Sequence, residues 1–121
     1  MPFAVTDAVS RVLDTALDGV SLRQRVTADN IANVDTPGFR ASSVDFETSL
    51  RAAIADGSLA VGGERVALRS TPTSTPVGLN GNNVDLRKET LAAMQSQFQY
   101  SLLTRASADR LAIVRTAATG Q

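Results

Sequence analysis

The segment Asn30-Ile31-Ala32-Asn33-Val34-Asp35-Thr36-Pro37-Gly38-Phe39 closes a long amphipathic pattern and carries stop chemistry at nearly every position. Asn33 can take the left-handed conformation that ends a helix. Asp35 and Thr36 have short polar side chains that can fold back on the backbone, and Pro37-Gly38 demands a turn. A helix arriving here ends here. The chain is therefore expected to begin as one long helix, turn sharply, and continue in another direction.

The helix that this signal closes is predicted from about Thr6 to Asn33, with Thr6 as N-cap and Asp7 in the first turn, where a negative charge suits the helix dipole. At 1.5 Å per residue it would be roughly 40 Å long. Advancing about 100° per residue, Asp7, Arg11, Asp14, Asp18, Arg25 and Asp29 share one narrow stripe, the expected solvated face. Val9, Leu13, Ala16, Val20 and Ile31 lie opposite, and Ala8, Val12, Leu22 and Val26 widen the apolar arc past Gly19. A helix with one neighbour needs an apolar stripe of little more than 100°. The excess implies more than one neighbour. Gly19 costs about 1 kcal/mol relative to Ala inside a helix, a loss that a close helix crossing could offset. Arg23 falls within the apolar arc, which leaves it to snorkel or to pair with an acid on a neighbouring molecule.

A second long helix is predicted from about Val84 to Ala118, capped by Asn83 or Asp85, with Glu89 in an early turn, Arg110 and Arg115 towards its end, and Gly120 as its stop. Leu91, Met94, Phe98 and Leu102 form its sharpest apolar stripe. This stripe is expected to bury against the N-terminal helix of the same chain or of a neighbour. Tyr100, Leu103, Leu111 and Val114 occupy much of the other side. A helix apolar all round is normally buried.

Between the two, composition shifts to turn chemistry in Thr71-Pro72-Thr73-Ser74-Thr75-Pro76 and Gly78-Leu79-Asn80-Gly81-Asn82-Asn83, and little regular structure is expected there. Val44 to Ala55 reads as a short helix with Phe46, Leu50 and Ile54 on one face, ended by Asp56-Gly57. Leu59 to Leu68 alternates loosely around Gly62-Gly63, a pattern compatible with a small hairpin. The fold class that results is all-α: long terminal helices in a coiled-coil-like hairpin, with a loop-rich insertion and room for a small β-hairpin. Its boundaries are 1–38 and 84–121 for the two helical parts of one inner helical domain, and 39–83 for the middle.

Composition narrows function by exclusion. With 121 residues the chain makes one domain at most. Lys plus Arg and Asp plus Glu both number 12, so no net field draws the chain to nucleic acid or an anionic membrane. There is no Cys and no His, which removes thiol nucleophiles, zinc clusters and the commonest general base. Asp45 with Glu47, and Arg105 with Asp109 and Arg110, are the charge clusters that invite a catalytic reading. The first pair would diverge on a helix, and nothing nearby would activate a nucleophile. No enzyme, cofactor, metal or small-molecule substrate is expected. The first residues lack the basic and apolar regions of a secretory signal, and no stretch approaches the roughly 20 apolar residues of a membrane span.

The second informative motif is Gly81-Asn82-Asn83-Val84-Asp85-Leu86, continuing through Arg87-Lys88-Glu89 into the C-terminal helix, where Tyr100-Ser101-Leu102-Leu103-Thr104-Arg105 follows. With the Asn30 to Phe39 decamer it brackets the chain. This pair resembles the two signatures of the bacterial flagellar axial proteins, the rod and hook subunits. There an Asn-Ile-Ala-Asn segment and a Thr-Pro-Gly-aromatic turn close the first helix. Phe39 stands where Tyr is common. The short middle makes the chain more similar to the proximal rod subunits than to hook or distal rod proteins, which insert further domains between the same helices.

The resemblance implies a structural subunit of the proximal rod, assembled as a helical axial tube around the export channel and transmitting torque. It also implies export without a cleavable signal and location in the periplasmic part of the basal body. The implied partners are copies of the chain, other rod subunits and the export-gate components at the rod base. Leu13, Val20, Ile31, Leu91, Met94, Phe98, Leu102, Leu103, Leu111 and Val114 are the expected packing or assembly residues. The alternative from another class is a small helical-hairpin regulator or chaperone that binds a partner helix.

Overall fold

The computed structural model describes residues 2–61 and 66–120. Two long helices, α1 (Pro2–Ala32) and α4 (Leu86–Thr119), enclose a middle segment of β1 (Ser42–Val44), α2 (Phe46–Ala55), α3 (Ser58–Val61) and β2 (Ser70–Pro72). Asn30 near the end of α1 bonds Glu89 near the start of α4, and Arg23 bonds Gln99 further along. The two helices therefore run antiparallel, as the expected all-α hairpin requires.

α1 passes through Thr6 and begins at Pro2, so Thr6 is not its N-cap. Proline is well placed at a first helical position, where its missing N–H has no helical partner to lose. α4 begins as expected at an Asp85 cap, whose side chain accepts from Lys88 N. It ends at Gly120, which is left-handed at φ 70° and donates to Thr116 O. α2 has Asp45 as N-cap and stops at Asp56, with Gly57 at φ 75°.

The middle segment is more ordered than its composition suggests. β1 and β2 pair antiparallel, with Ser42 opposite Pro72, Ser43 opposite Thr71 and Val44 opposite Ser70. The expected pairing within Leu59 to Leu68 is replaced by the α3 helix around Leu59, and Gly62-Gly63 lies outside the described residues. Thr71-Pro72 is strand, not loop. Its proline sits in a two-stranded edge, where a missing donor is tolerated.

The main buried cluster comprises Ala16, Val20, Val44, Phe46, Leu50, Ala53 and Leu59, with Val12, Leu22, Val26, Val66, Leu68 and Leu103 packed around it. All but Ala16 and Val20 of the buried members come from the middle segment. The core thus lies between α1 and the insertion, and α4 contributes only Leu103 at its margin. Ile54, expected beside Phe46 and Leu50, is 52% exposed, and Ala53 takes the inward position. Gly19 is buried under Phe46. A Cβ there would run into the ring, so what approaches Gly19 closely is an aromatic side chain at the start of α2, where a helix crossing was expected.

Candidate functional site

The end of α1 is built by successively tighter turns. Asn33 N donates to Asp29 O at 3.1 Å, Val34 N to Ile31 O at 3.2 Å and Thr36 N to Asn33 O at 3.0 Å. Phe39 N then bonds Thr36 O at 3.2 Å across Pro37 and Gly38, and Gly38 has φ 76°. Pro at the second position and a positive-φ Gly at the third make this a type II turn. Only glycines among the described residues have positive φ, so Asn33 does not end the helix in the left-handed conformation. Its side chain instead donates to Asp29 O at 2.8 Å and accepts from Thr36 Oγ1 at 3.1 Å. Thr36 thus bonds a side chain and not the backbone, and Asp35 is exposed.

The second motif completes this stop. Asn82 Nδ2 donates to both Asn33 O and Thr36 O at 2.8 Å, while its Oδ1 accepts from Val84 N at 2.7 Å. Asn83 Oδ1 accepts from Ala41 N at 2.6 Å, and its Nδ2 reaches Thr75 O at 3.2 Å. The main chains cross as well: Gly38 N donates to Asn80 O at 2.9 Å, and Asn83 N to Phe39 O at 3.3 Å. Carbonyls that a helix end normally leaves to water are satisfied by a segment 46 to 49 residues away.

Asn30 ties in the third element. Its Oδ1 accepts from Ser42 N at 3.2 Å and its Nδ2 donates to Ser42 O at 2.7 Å, so one side chain pairs with β1 as a neighbouring strand would. Nδ2 also bonds Glu89 Oε2 at 3.1 Å. Asn30, Asn82, Asn83 and Glu89 are all buried. Their polarity is tolerated because each amide is used on both sides. Glu89, read from sequence only as a dipole partner, is the member that was missed. Its signal was weak, since nothing local marks a first-turn Glu as buried.

Arg23 anchors a second network inside the chain. Its guanidinium bonds Glu47 at 2.6 Å, Val44 O at 2.7 Å and Gln99 Oε1 at 3.1 Å, and lies 4.8 Å from the centre of the Phe46 ring. The acid it pairs with is its own chain's Glu47, not a neighbour's. Asp45 is occupied as the α2 cap, and its carboxyl is held below its ordinary value chiefly by the Thr48 hydroxyl and amide. Arg11, expected on the solvated stripe, is half-buried and bonds Leu59 O at 2.6 Å.

The sharp apolar stripe of α4 faces away from α1. Leu91, Met94, Phe98 and Leu102 are 56%, 66%, 65% and 50% exposed, and Leu111 and Val114 are also exposed. Burial against α1 of the same chain is thereby excluded for them. α4 turns towards α1 a smaller and more polar face of Glu89, Ala92, Ser96, Gln99, Leu103 and Ser107. Small side chains let two helices approach closely, which is what selects this face. Val20 is fully buried and Leu13, Ile31 and Leu103 are half-buried.

Residues 11–40, the part of α1 that ends in the type II turn, match the family model for flagella basal body rod protein. The chain is 34% identical over 110 residues to the flagellar basal body rod protein FlgB of Borreliella burgdorferi, covering 76% of this chain and 82% of the relative. The chain belongs to the FlgB family of flagellar basal body rod proteins. FlgB of Salmonella typhimurium is 30% identical over 113 residues, covering 79% of this chain and 82% of the relative. FlgB of Bacillus subtilis is 29% identical over 117 residues, covering 89% and 91% respectively. The family's role is structural, within the rod of the basal body. Among the described residues no helix is long and apolar enough to cross a membrane, and no group of acids is placed to hold a metal ion.

Proposed function

We propose that this chain is a subunit of the proximal rod that assembles with copies of itself and with other rod subunits into a helical axial tube. In this reading α1 and α4, within residues 1–38 and 84–121, form the inner domain around the export channel, and residues 39–83 brace it from one side. The subunit reaches the periplasm through the flagellar export apparatus, meets export-gate components at the rod base and carries torque along the shaft.

The observation that carries the proposal is the outward strip of Leu91, Met94, Phe98 and Leu102, all half or more exposed on the helix that carries the second motif. Burying such surface is worth about 25 cal/mol per Å². An isolated subunit forgoes that gain. Tight internal bonding of the two motifs supports the same reading, because a shaft needs subunits whose helices leave the junction in fixed directions.

The test is complementation in a strain lacking its own proximal rod subunit, reading rod formation by electron microscopy and swimming in soft agar. Restored rods that contain the protein are expected. A soluble protein absent from basal bodies and held by a single cytosolic partner would overturn the proposal in favour of the regulator.

A further inference from the structure

The outward faces of the two long helices carry opposite charge. Along α4, Arg87, Lys88, Arg105 and Arg115 are exposed together with Asp109, a net of three positive charges. Arg87, Met94, Phe98 and Arg105 fall on one line at helical spacing, so the apolar strip is bracketed by a guanidinium at each end. On α1, the exposed Asp14, Asp18 and Asp29 share a line with Arg25, a net of two negative charges, with the exposed Ala28 and Ala32 beside them. The lines are comparable in length, roughly 27 Å from Arg87 to Arg105 and roughly 22 Å from Asp14 to Asp29 at 1.5 Å per residue.

Resting on the rod-subunit reading above, we propose that the α4 strip of one copy docks on the acidic α1 stripe of the next copy, a head-to-tail contact. Pairing α4 with α4 would set arginine against arginine at both ends, whether the helices ran parallel or antiparallel. Pairing α1 with α1 would set acid against acid in parallel, would still set Asp14 against Asp29 twice when antiparallel, and in either case would leave the α4 strip uncovered. Like charges facing across an interface cost several kcal/mol and exclude the wrong partner. Only α4 on α1 satisfies the charges and covers the apolar strip. Such a contact leaves one unpaired α4 and one unpaired α1 at the ends of any assembly. Made head-to-tail, it repeats into an open helical array wherever its rotation does not close a ring.

Two charge-reversed full-length variants test this. Arg87→Glu with Arg105→Glu makes both outward faces acidic, and Asp14→Arg with Asp18→Arg makes both basic. All four residues are exposed, and circular dichroism checks that the helices persist. Each variant alone should self-associate roughly tenfold or more weakly than the parent chain in sedimentation velocity. An equimolar mixture should regain association, because every α4 then meets an α1 of opposite charge.

Because the chain has no cysteine, a second measurement is available. Phe98→Cys protein mixed with Arg25→Cys protein should form the mixed disulfide in preference to either homodimer. Undiminished association of either charge variant, a mixture that stays dissociated, predominance of the Phe98→Cys homodimer, or a parent chain that is monomeric at every concentration would each overturn the contact. If any of these occurs while the parent chain still restores rods, the rod-subunit reading stands and only this interface falls. Failure to restore rods removes that reading itself.

Discussion

Asn30 does for β1 what a third strand would do, offering one donor and one acceptor to the main chain of Ser42 while its remaining N–H meets Glu89. Asn30→Ala should cost several kcal/mol, at about 1–3 kcal/mol for each buried group left unpaired. Asn30→Asp should be worse, since a carboxyl would face both Ser42 O and Glu89; urea titration of the two variants tests the order. Ser96 presents the opposite case. Its hydroxyl is fully buried in the α1–α4 seam and has no hydrogen-bond partner, so Ser96→Ala should raise stability by about 1 kcal/mol. An unchanged or lowered urea midpoint would mean that the hydroxyl is satisfied in solution. Gly19→Ala gains helix propensity yet forces the Phe46 ring to move, and overpacking of about 1–3 kcal/mol should prevail, lowering the melting temperature. At this scale the end of α1 near Asn33 and the Pro37-Gly38 turn were legible in the sequence, because stop chemistry is local, although Asn33 acts through its side chain and not as a left-handed residue. The sequence did not show that Asn82 would close that stop or that Asn30 would bond a strand. Those partners are chosen by the fold, and an asparagine amide fits many.

α4 shows why an element's existence is easier to read than its orientation. Its length, Asp85 cap and Gly120 stop follow from spacing and capping chemistry. The face that meets α1 does not, because apolar residues on every side leave the hydrophobic pattern without a direction. The natural choice, Leu91-Met94-Phe98-Leu102, is the face turned outward. Close approach to α1 is made by Ala92, Ser96 and their neighbours, and α1 spends much of its own apolar arc on α2, α3 and β1. The middle segment was underestimated for a related reason: Thr, Ser and Pro at β2 look like loop until Ser42–Val44 is placed beside them. α2 was clearer, since the Phe46 and Leu50 spacing and Asp56-Gly57 agree, although the helix begins at Phe46 behind its Asp45 cap and Val44, expected as its start, belongs to β1. Its cap also makes a pH prediction. Asp45 and Asp56 both have carboxyls held below their ordinary value, by Thr48 and Ser58 respectively. A depressed folded-state value means that the contribution is present above the unfolded value and is lost as pH falls through the folded one. Acidification through the carboxylate range should therefore loosen both ends of α2, seen as faster exchange of the Thr48 and Ser58 amides. If these two amides keep their protection while the rest of the chain is still folded, the caps are not contributing as described.

At the scale of the whole molecule, stability and assembly are carried by different surfaces of the same chain. Phe46 is 5% exposed against α1 and Phe98 is 65% exposed on α4, which makes the two aromatic residues a matched pair for separating folding from function. Phe46→Ala should cost about 3–5 kcal/mol and lower folding and rod formation together. Phe98→Ala should change the stability of the dilute monomer by no more than about 0.5 kcal/mol, yet reduce incorporation into rods and swimming. Hydrogen exchange supplies the accompanying measurement. The outer end of α4, where Leu111–Thr119 are exposed on every side, should exchange early in the monomer and become protected on assembly, whereas amides around Val20 and Leu50 should be protected in both states. Early exchange is expected because a helix lacking a packed face is held by little beyond its own backbone bonds. Protection of Leu111–Thr119 in the dilute monomer equal to that of Val20, together with normal rods from Phe98→Ala, would mean that the outward face of α4 neither gains order from assembly nor contributes to it.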